Sequence, residues 1–360
     1  MKRQQSEDGR AFKFDGLNAL RGVAAIGVLL AHCTSFLGNW APSGPLAVDV
    51  FFLMSGFVIA HAYDQRLRDG LSTASFTGLR LVRFYPLYLV GLLLGSVKVA
   101  GMYILSAPAF PASQVAVGFA LALLFLPAPP SLFSGGSLYP MNTPAWSLAV
   151  ELIVNAGYAA FFRWLSGSAL ILICLTGFVT LVSLTVAGGS PLGGAVWGSV
   201  GLGYARALFA FPLGVLFYRY RHRIPKVPAP WYVAPILLAA FLAIEPHSWK
   251  GLYHLLFMVG ASPLIVWIAA QPVPNRWRPL CTYLGRTSYP LYAVHVPIIV
   301  ILDGAAVVLG LAPAALVSGG VVILLAGCWY LDLIDERFRR KITRRAPRQP
   351  ATIAVIDRSE

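Results

Sequence analysis

Residues 17–33 read LNALRGVAAIGVLLAHC and residues 46–63 read LAVDVFFLMSGFVIAHAY. Each run approaches the ~20 apolar residues that a helix needs to cross the hydrocarbon layer of a bilayer. Each also carries ionisable side chains inside the apolar stretch: Arg21 and His32 in the first, Asp49 in the second. A charge placed there costs several kcal/mol unless it meets a cavity or a partner, so such residues are functional candidates by default.

The same reading extends along the chain. Of 360 residues 58% are hydrophobic and only 12% charged, with a mean hydropathy of +0.71, where a soluble domain carries about 25% charged residues. A soluble enzyme is excluded. Apolar runs at 17–37, 46–63, 84–107, 146–164, 168–187, 197–218, 230–245, 251–270, 288–308 and 314–333 predict an all-α polytopic membrane protein with about ten transmembrane helices. They form one domain, 17–333, between a leader at 1–16 and a basic tail at 334–360. The stretch 114–127 is apolar but too short for a crossing, and Pro127, Pro129, Pro130 and Gly135-Gly136 follow it, which predicts a re-entrant or interfacial half-helix.

Charge sets the expected orientation. The net charge is +14, and its basic residues gather at the ends: Lys2, Arg3, Arg10 and Lys13, then Arg337, Arg339, Arg340, Lys341, Arg344, Arg345 and Arg348. Connections 38–45, 108–145, 188–196 and 309–313 hold no Lys or Arg, and 246–250 holds only Lys250. By the positive-inside rule both termini are cytoplasmic, and the basic flanks suit anionic lipid headgroups better than nucleic acid. Cys33, Cys174, Cys281 and Cys328 are far apart and form no C-x-x-C pair. No zinc, Walker or dinucleotide motif occurs, so no metal or nucleotide-hydrolysis site is expected.

Four polar groupings stand out. Arg21 and His32 are eleven residues apart, which returns to nearly the same helical face over a rise of about 16 Å; snorkelling and an interhelical bond are the plain alternatives. Asp49 is placed to orient His32 from the neighbouring helix, or to cap its own. Arg80 and Arg83 share a face in GLRLVRFYPLY and suit a phosphate, though membrane anchoring also explains them. Ser147, Glu151 and Asn155 form a stripe in NTPAWSLAVELIVNAGY, as do Ser288, Tyr292 and His295 in YLGRTSYPLYAVHVP. Ser55 and Gly56 read as small-residue packing, and Gly91 and Gly95 permit a close helix approach.

In that order the segments resemble the membrane-bound acyltransferase 3 family, bacterial sugar O-acyltransferases. Arg21 through His32 is similar to its R-x10-H motif. Gly44, Asp49, Phe51, Phe52, Ser55, Gly56 and Phe57 resemble its V-D-x-F-F-x-x-S-G-F segment. Arg80 and Arg83 with Pro86 and Tyr88, then Trp146-Ser147-Leu148 with Glu151, then Gly285, Ser288, Tyr289, Tyr292 and His295 match three more motifs. The chain departs after Glu151, where Leu152-Ile153-Val154-Asn155 replaces the usual acid and aromatics.

The resemblance implies transfer of an acyl group, usually acetyl, from cytosolic acyl-CoA to a sugar hydroxyl, often beyond the membrane, by a protein of the bacterial inner membrane. It implies Arg80 and Arg83 on the donor phosphates, a cavity lined by His32, Asp49 and Glu151, and Trp146, Ser147, Tyr292 and His295 as substrate-binding residues. His32 would serve as general base or transient acyl carrier, and Arg21 would meet developing negative charge or the donor. A transporter or flippase for a lipid-linked sugar, and a non-catalytic scaffold, are the competing classes.

Overall fold

The computed structural model describes residues 14–104, 110–133 and 135–345. Lys2, Arg3, Arg10 and Lys13 of the leader and Arg348 of the tail lie outside the described residues. Apart from one isolated bridge between Ser137 and Val196, the regular elements among the described residues are helical.

Over its described residues, every apolar run falls chiefly on helix. These are α1 (Asp15–His32), α3 (Ala47–Arg68), α4 (Thr73–Ile104), α6 (Ala145–Ala160), α7 (Gly167–Gly188), α8 (Val200–Arg219) and α9 (Val233–Ala243). There follow α10 (Lys250–Leu256) and α11 (Ser262–Ala269), joined through a wide turn at Phe257–Ala261, then α12 (Arg278–Leu309) and α13 (Pro313–Arg345). A single turn, α2 (Thr34–Leu37), follows α1. Among the described residues seven segments are long and apolar enough to cross a membrane; α1 with Arg21, the 16-residue α6 and the 11-residue α9 do not meet that standard. The first part of the basic tail is not a separate segment but the end of α13, which runs on to Arg345.

The expected half-helix is α5 (Ala112–Leu123). It stops before its prolines, and Phe125 turns the chain with a φ of 61°. Non-helical backbone at membrane depth must be satisfied by protein. Here Ala128 N–H donates to Leu138 O (2.8 Å), Leu138 N–H to Ala195 O (3.0 Å) and the Trp197 indole to Ala128 O (2.7 Å), so the loop after α5 is folded onto the α7–α8 connection.

Close helix approach is purchased with missing side chains. A Cβ on Gly56 would overlap the Phe211 carbonyl oxygen, and one on Gly214 the Leu53 carbonyl oxygen, so α3 and α8 touch backbone to backbone. A second junction joins α4, α12 and the loop before α6. Pro297 in α12 has no N–H, which deprives the carbonyl four residues earlier, Ala293, of its helical partner. Asn142 Nδ2 donates to that oxygen at 3.0 Å. A Cβ on Gly91 of α4 would overlap both Ala293 O and Asn142 Nδ2, and one on Gly95 would overlap Met141 O.

Inside the bundle, charges are paired. Arg206 of α8 is 1% exposed and holds both carboxylate oxygens of Asp49, at 2.9 and 2.8 Å, while its other donors reach Gly193 O and Pro45 O at 2.9 Å each. Asp64 joins Arg219 (2.8 Å) and Tyr158, tying α3 to α8 and α6. Arg286 of α12 reaches Asp332 and Glu336 of α13. The four cysteines are buried thiols.

Two outcomes follow from these junctions. Asp49→Ala strands a buried guanidinium and lowers stability by about 3–5 kcal/mol, read as a lower melting temperature of the detergent-solubilised protein. Gly91→Leu lowers it by about 1–3 kcal/mol through overpacking, whereas Gly101→Leu, with open space around its Cα, leaves the melt unchanged; equal melts for the two variants would refute the junction.

Candidate active site

The side chains that the sequence singles out fall into two neighbouring groups. The first surrounds a cavity of about 170 Å³ between α1, α3, α4, α6 and α12. Arg21, Ser55, Arg80, Arg83, Ser147, Glu151, Ser288, Tyr289 and Tyr292 supply its polar lining, and Val48, Phe51, Phe52, Met54, Phe84 and Leu148 its apolar walls.

Glu151 organises this group. Its Oε1 accepts from Ser55 Oγ at 2.6 Å and from an Arg80 terminal nitrogen at 3.3 Å. Arg80 lies over the Phe84 ring, 4.7 Å from its centre, and its buried Nε has no partner among the described residues. Arg83, one turn on, lies 5.4 Å over the Tyr289 ring and 4.0 Å from Asp335 of α13. Arg21 lines the same space and makes no hydrogen bond to any described residue. Three guanidiniums thus share one lining carboxylate, an excess of positive charge that favours an anionic guest. Deeper in, Ser147 and Tyr292 hydroxyls are hydrogen-bonded at 2.6 Å, each also within reach of the Pro144 carbonyl.

The second group starts where Tyr292 ends the first. The His295 ring lies 5.8 Å from that of Tyr292 and 5.0 Å, edge-on, from that of His32. His295 is buried, and its Nδ1–H is held by the carbonyls of Leu291 (3.1 Å) and Tyr292 (2.9 Å). His32, exposed at the end of α1, donates Nδ1–H to Val28 O at 2.8 Å. Both backbone bonds fix the tautomer that leaves Nε2 as a lone pair. His295 Nε2 has no partner among the described residues.

Two expectations are corrected by these positions. Asp49 does not orient His32: both of its oxygens are bonded to Arg206, because a bidentate guanidinium is a stronger partner for a buried carboxylate than a neutral imidazole. Nor does the cavity reach His32 or Asp49; its lining stops at Tyr292. Trp146 is buried with its ring edge toward Phe52 and beneath the Arg206 guanidinium, a structural position outside the lining. Arg21, Arg80, Arg83, Ser147, Glu151 and Tyr292 are brought together as the motifs suggest. Ser55, read as packing, is instead the hydroxyl on Glu151. Asp335 behind Arg83 carried no motif that would have found it. No cluster of three or more His, Cys, Asp or Glu among the described residues is arranged to hold a metal.

Comparison with known proteins joins this geometry to a family. The family model described as an acyltransferase domain matches residues 14–333. Protein 2 in the picA locus of Rhizobium radiobacter is 40% identical over 161 residues, 42% of this chain and 82% of that protein. Acyltransferase MdmB of Streptomyces mycarofaciens is 28% identical over 324 residues, 81% of this chain and 80% of that one. Exopolysaccharide production protein ExoZ of Rhizobium meliloti is 30% identical over 131 residues, 36% of this chain and 38% of ExoZ. No solved structure matches the chain. With a family match that spans nearly every described helix, and a multi-pass helical bundle to carry it, the chain belongs to the acyltransferase 3 family and is a membrane-bound acyltransferase.

Proposed function

We propose that this acyltransferase takes an acyl group, acetyl in the simplest case, from acyl-CoA on the cytosolic side of a bacterial inner membrane. It places the group on a sugar hydroxyl of a glycan, a lipid-linked saccharide or a glycosylated metabolite. The observation that carries this reading is the convergence of Arg21, Arg80 and Arg83 on one cavity with Glu151 as its lone lining carboxylate. Planar guanidiniums suit phosphate oxygens, and Arg83 and Arg80 stand one turn apart on α4 to take them. With both termini cytoplasmic, as the basic flanks favour, that cluster faces the compartment that supplies acyl-CoA.

Size supports the same division of labour. A cavity of about 170 Å³ is below the roughly 300–1,000 Å³ that holds a drug-sized ligand, so it has room for an acyl-thioester arm with the nucleotide left outside. Its phenylalanine and valine walls suit such an arm. An alcohol is a weak nucleophile near neutral pH, and a positioned imidazole that takes its proton during attack contributes roughly 10²–10⁴-fold. His32, with Nε2 as a lone pair at an exposed helix end beyond the cavity lining, is the base, and the donor arm carries its thioester past Tyr292 to meet the acceptor hydroxyl there. The name of the relative ExoZ, an exopolysaccharide production protein, supports a carbohydrate acceptor.

The test uses purified protein in proteoliposomes, radiolabelled acetyl-CoA, and cell-surface polysaccharide freed of its esters by mild alkali. Label is expected to enter the polysaccharide with stoichiometric release of CoA thiol. His32→Gln abolishes transfer and leaves acetyl-CoA binding within twofold, while Arg83→Ala weakens binding by about tenfold to a hundredfold, as loss of a charged hydrogen bond worth roughly 1.5–3 kcal/mol requires. Absence of thiol release, as from a flippase, or full activity in His32→Gln would overturn the reading.

A further inference from the structure

We propose that Arg221 and His61 form a binding site for the phosphate on the ribose of the donor nucleotide, at the rim of the arginine-lined cavity. The proposal rests on the acyl-CoA reading. That reading leaves the nucleotide outside a cavity of about 170 Å³, and acyl-CoA carries, besides its diphosphate, a monophosphate on the ribose. Val58 lines the cavity and is 39% exposed, so an opening lies beside it on α3. His61, also exposed, stands one turn further toward the cytosolic end of that helix. From Ser55, which bonds Glu151 inside the cavity, to His61 the rise along α3 is about 9 Å, a step of nucleotide size. Across the opening Arg21 lines the cavity from α1. Phe14, two turns before Arg21 on the same side, sets its ring edge-on at 5.1 Å from that of His61.

One tyrosine fits both groups to an anion. Arg221, just past the end of α8, lies 4.2 Å over the Tyr218 ring and donates from one terminal nitrogen to the Tyr218 carbonyl at 2.8 Å. Unlike Arg206, Arg219 and Arg286, it has no carboxylate partner among the described residues. The half-buried guanidinium is therefore held in place with its remaining donors unspent. The Tyr218 hydroxyl is 3.2 Å from His61 Nδ1, with the two rings 5.3 Å apart. A phenol is the stronger donor of the two, and when it donates to Nδ1 the neutral imidazole carries its own proton on Nε2, which has no partner among the described residues. Tyr218 thus sets a cation and an N–H donor side by side, a pair that suits phosphate oxygens. The positive-inside rule accounts for Arg66, Arg68 and Arg223, all exposed, but it does not call for a guanidinium and an imidazole that share one tyrosine at the cavity rim.

The experiment measures binding of radiolabelled acetyl-CoA to the purified protein in proteoliposomes, and its displacement by CoA and by dephospho-CoA, which lacks only the ribose phosphate. Wild type is expected to prefer CoA by roughly tenfold or more, as one charge-assisted hydrogen bond requires. Arg221→Ala abolishes the preference and His61→Phe lowers it, while both keep the affinity for dephospho-CoA within twofold of wild type, which also certifies their folding. Arg223→Ala, whose cation lies 5.5 Å over the Tyr220 ring, keeps the preference and controls for loss of a surface charge. If Arg221→Ala does not fold, the wild-type comparison and His61→Phe carry the test. Equal affinity of wild type for CoA and dephospho-CoA, or a loss in Arg221→Ala that weakens both alike, overturns the site and leaves the donor reading standing. If wild type binds neither compound, the donor reading has failed and the site falls with it.

Discussion

The bundle stands on one constraint: a charge carried into an apolar helix packing must find its counter-charge there. Arg206 and Asp49 satisfy it most completely, with four guanidinium hydrogen bonds that reach the carboxylate and two backbone carbonyls and lock α3 to α8. Such a pair adds little net stability against an apolar replacement, but breaking it is costly. It therefore fixes how α3 and α8 meet, and with them where Ser55 and Phe52 face the cavity. Asp64 with Arg219, and Arg286 with the two acids of α13, impose the same condition at other helix pairs.

Against that background the cavity is the exception. Its arginines outnumber its carboxylates, and one of them, Arg21, finds no hydrogen-bond partner among the described residues. A bundle that pairs its charges at other helix contacts leaves positive charge in excess around this cavity. Pro290 and Pro297 interrupt the hydrogen-bond ladder of α12 on either side of Tyr292 and His295, and the Ala293 carbonyl left open by Pro297 is taken by Asn142 from the loop before α6.

Much of this was legible in the residues. Apolar runs located the helices because the bilayer demands a fixed length of hydrocarbon-compatible side chains, and helical periodicity placed Arg80 beside Arg83 and Ser147 in line with Glu151. What escaped were pairings between distant segments. Nothing in VDVFF announces that Asp49 will meet an arginine 157 residues later, and imidazole was the nearer candidate in sequence. Ser55 was masked by its glycine neighbour: Gly56 is indeed there for packing, and the adjacent hydroxyl faces another helix. The extent of α13 was hidden by its basic composition, which reads as tail although Asp332, Asp335 and Glu336 bind that stretch to its neighbours.

That last helix has a practical corollary. Asp335, whose side chain is 1% exposed, stands between Arg339 at 2.7 Å and Arg83 at 4.0 Å, while the adjacent acids grip Arg286. The final helix is thus joined to the arginine-lined cavity through Asp335. Trimming the chain for crystallisation upstream of Asp332, or hauling on its end with a bulky fusion, would retune an arginine of the cavity wall rather than merely shorten a helix.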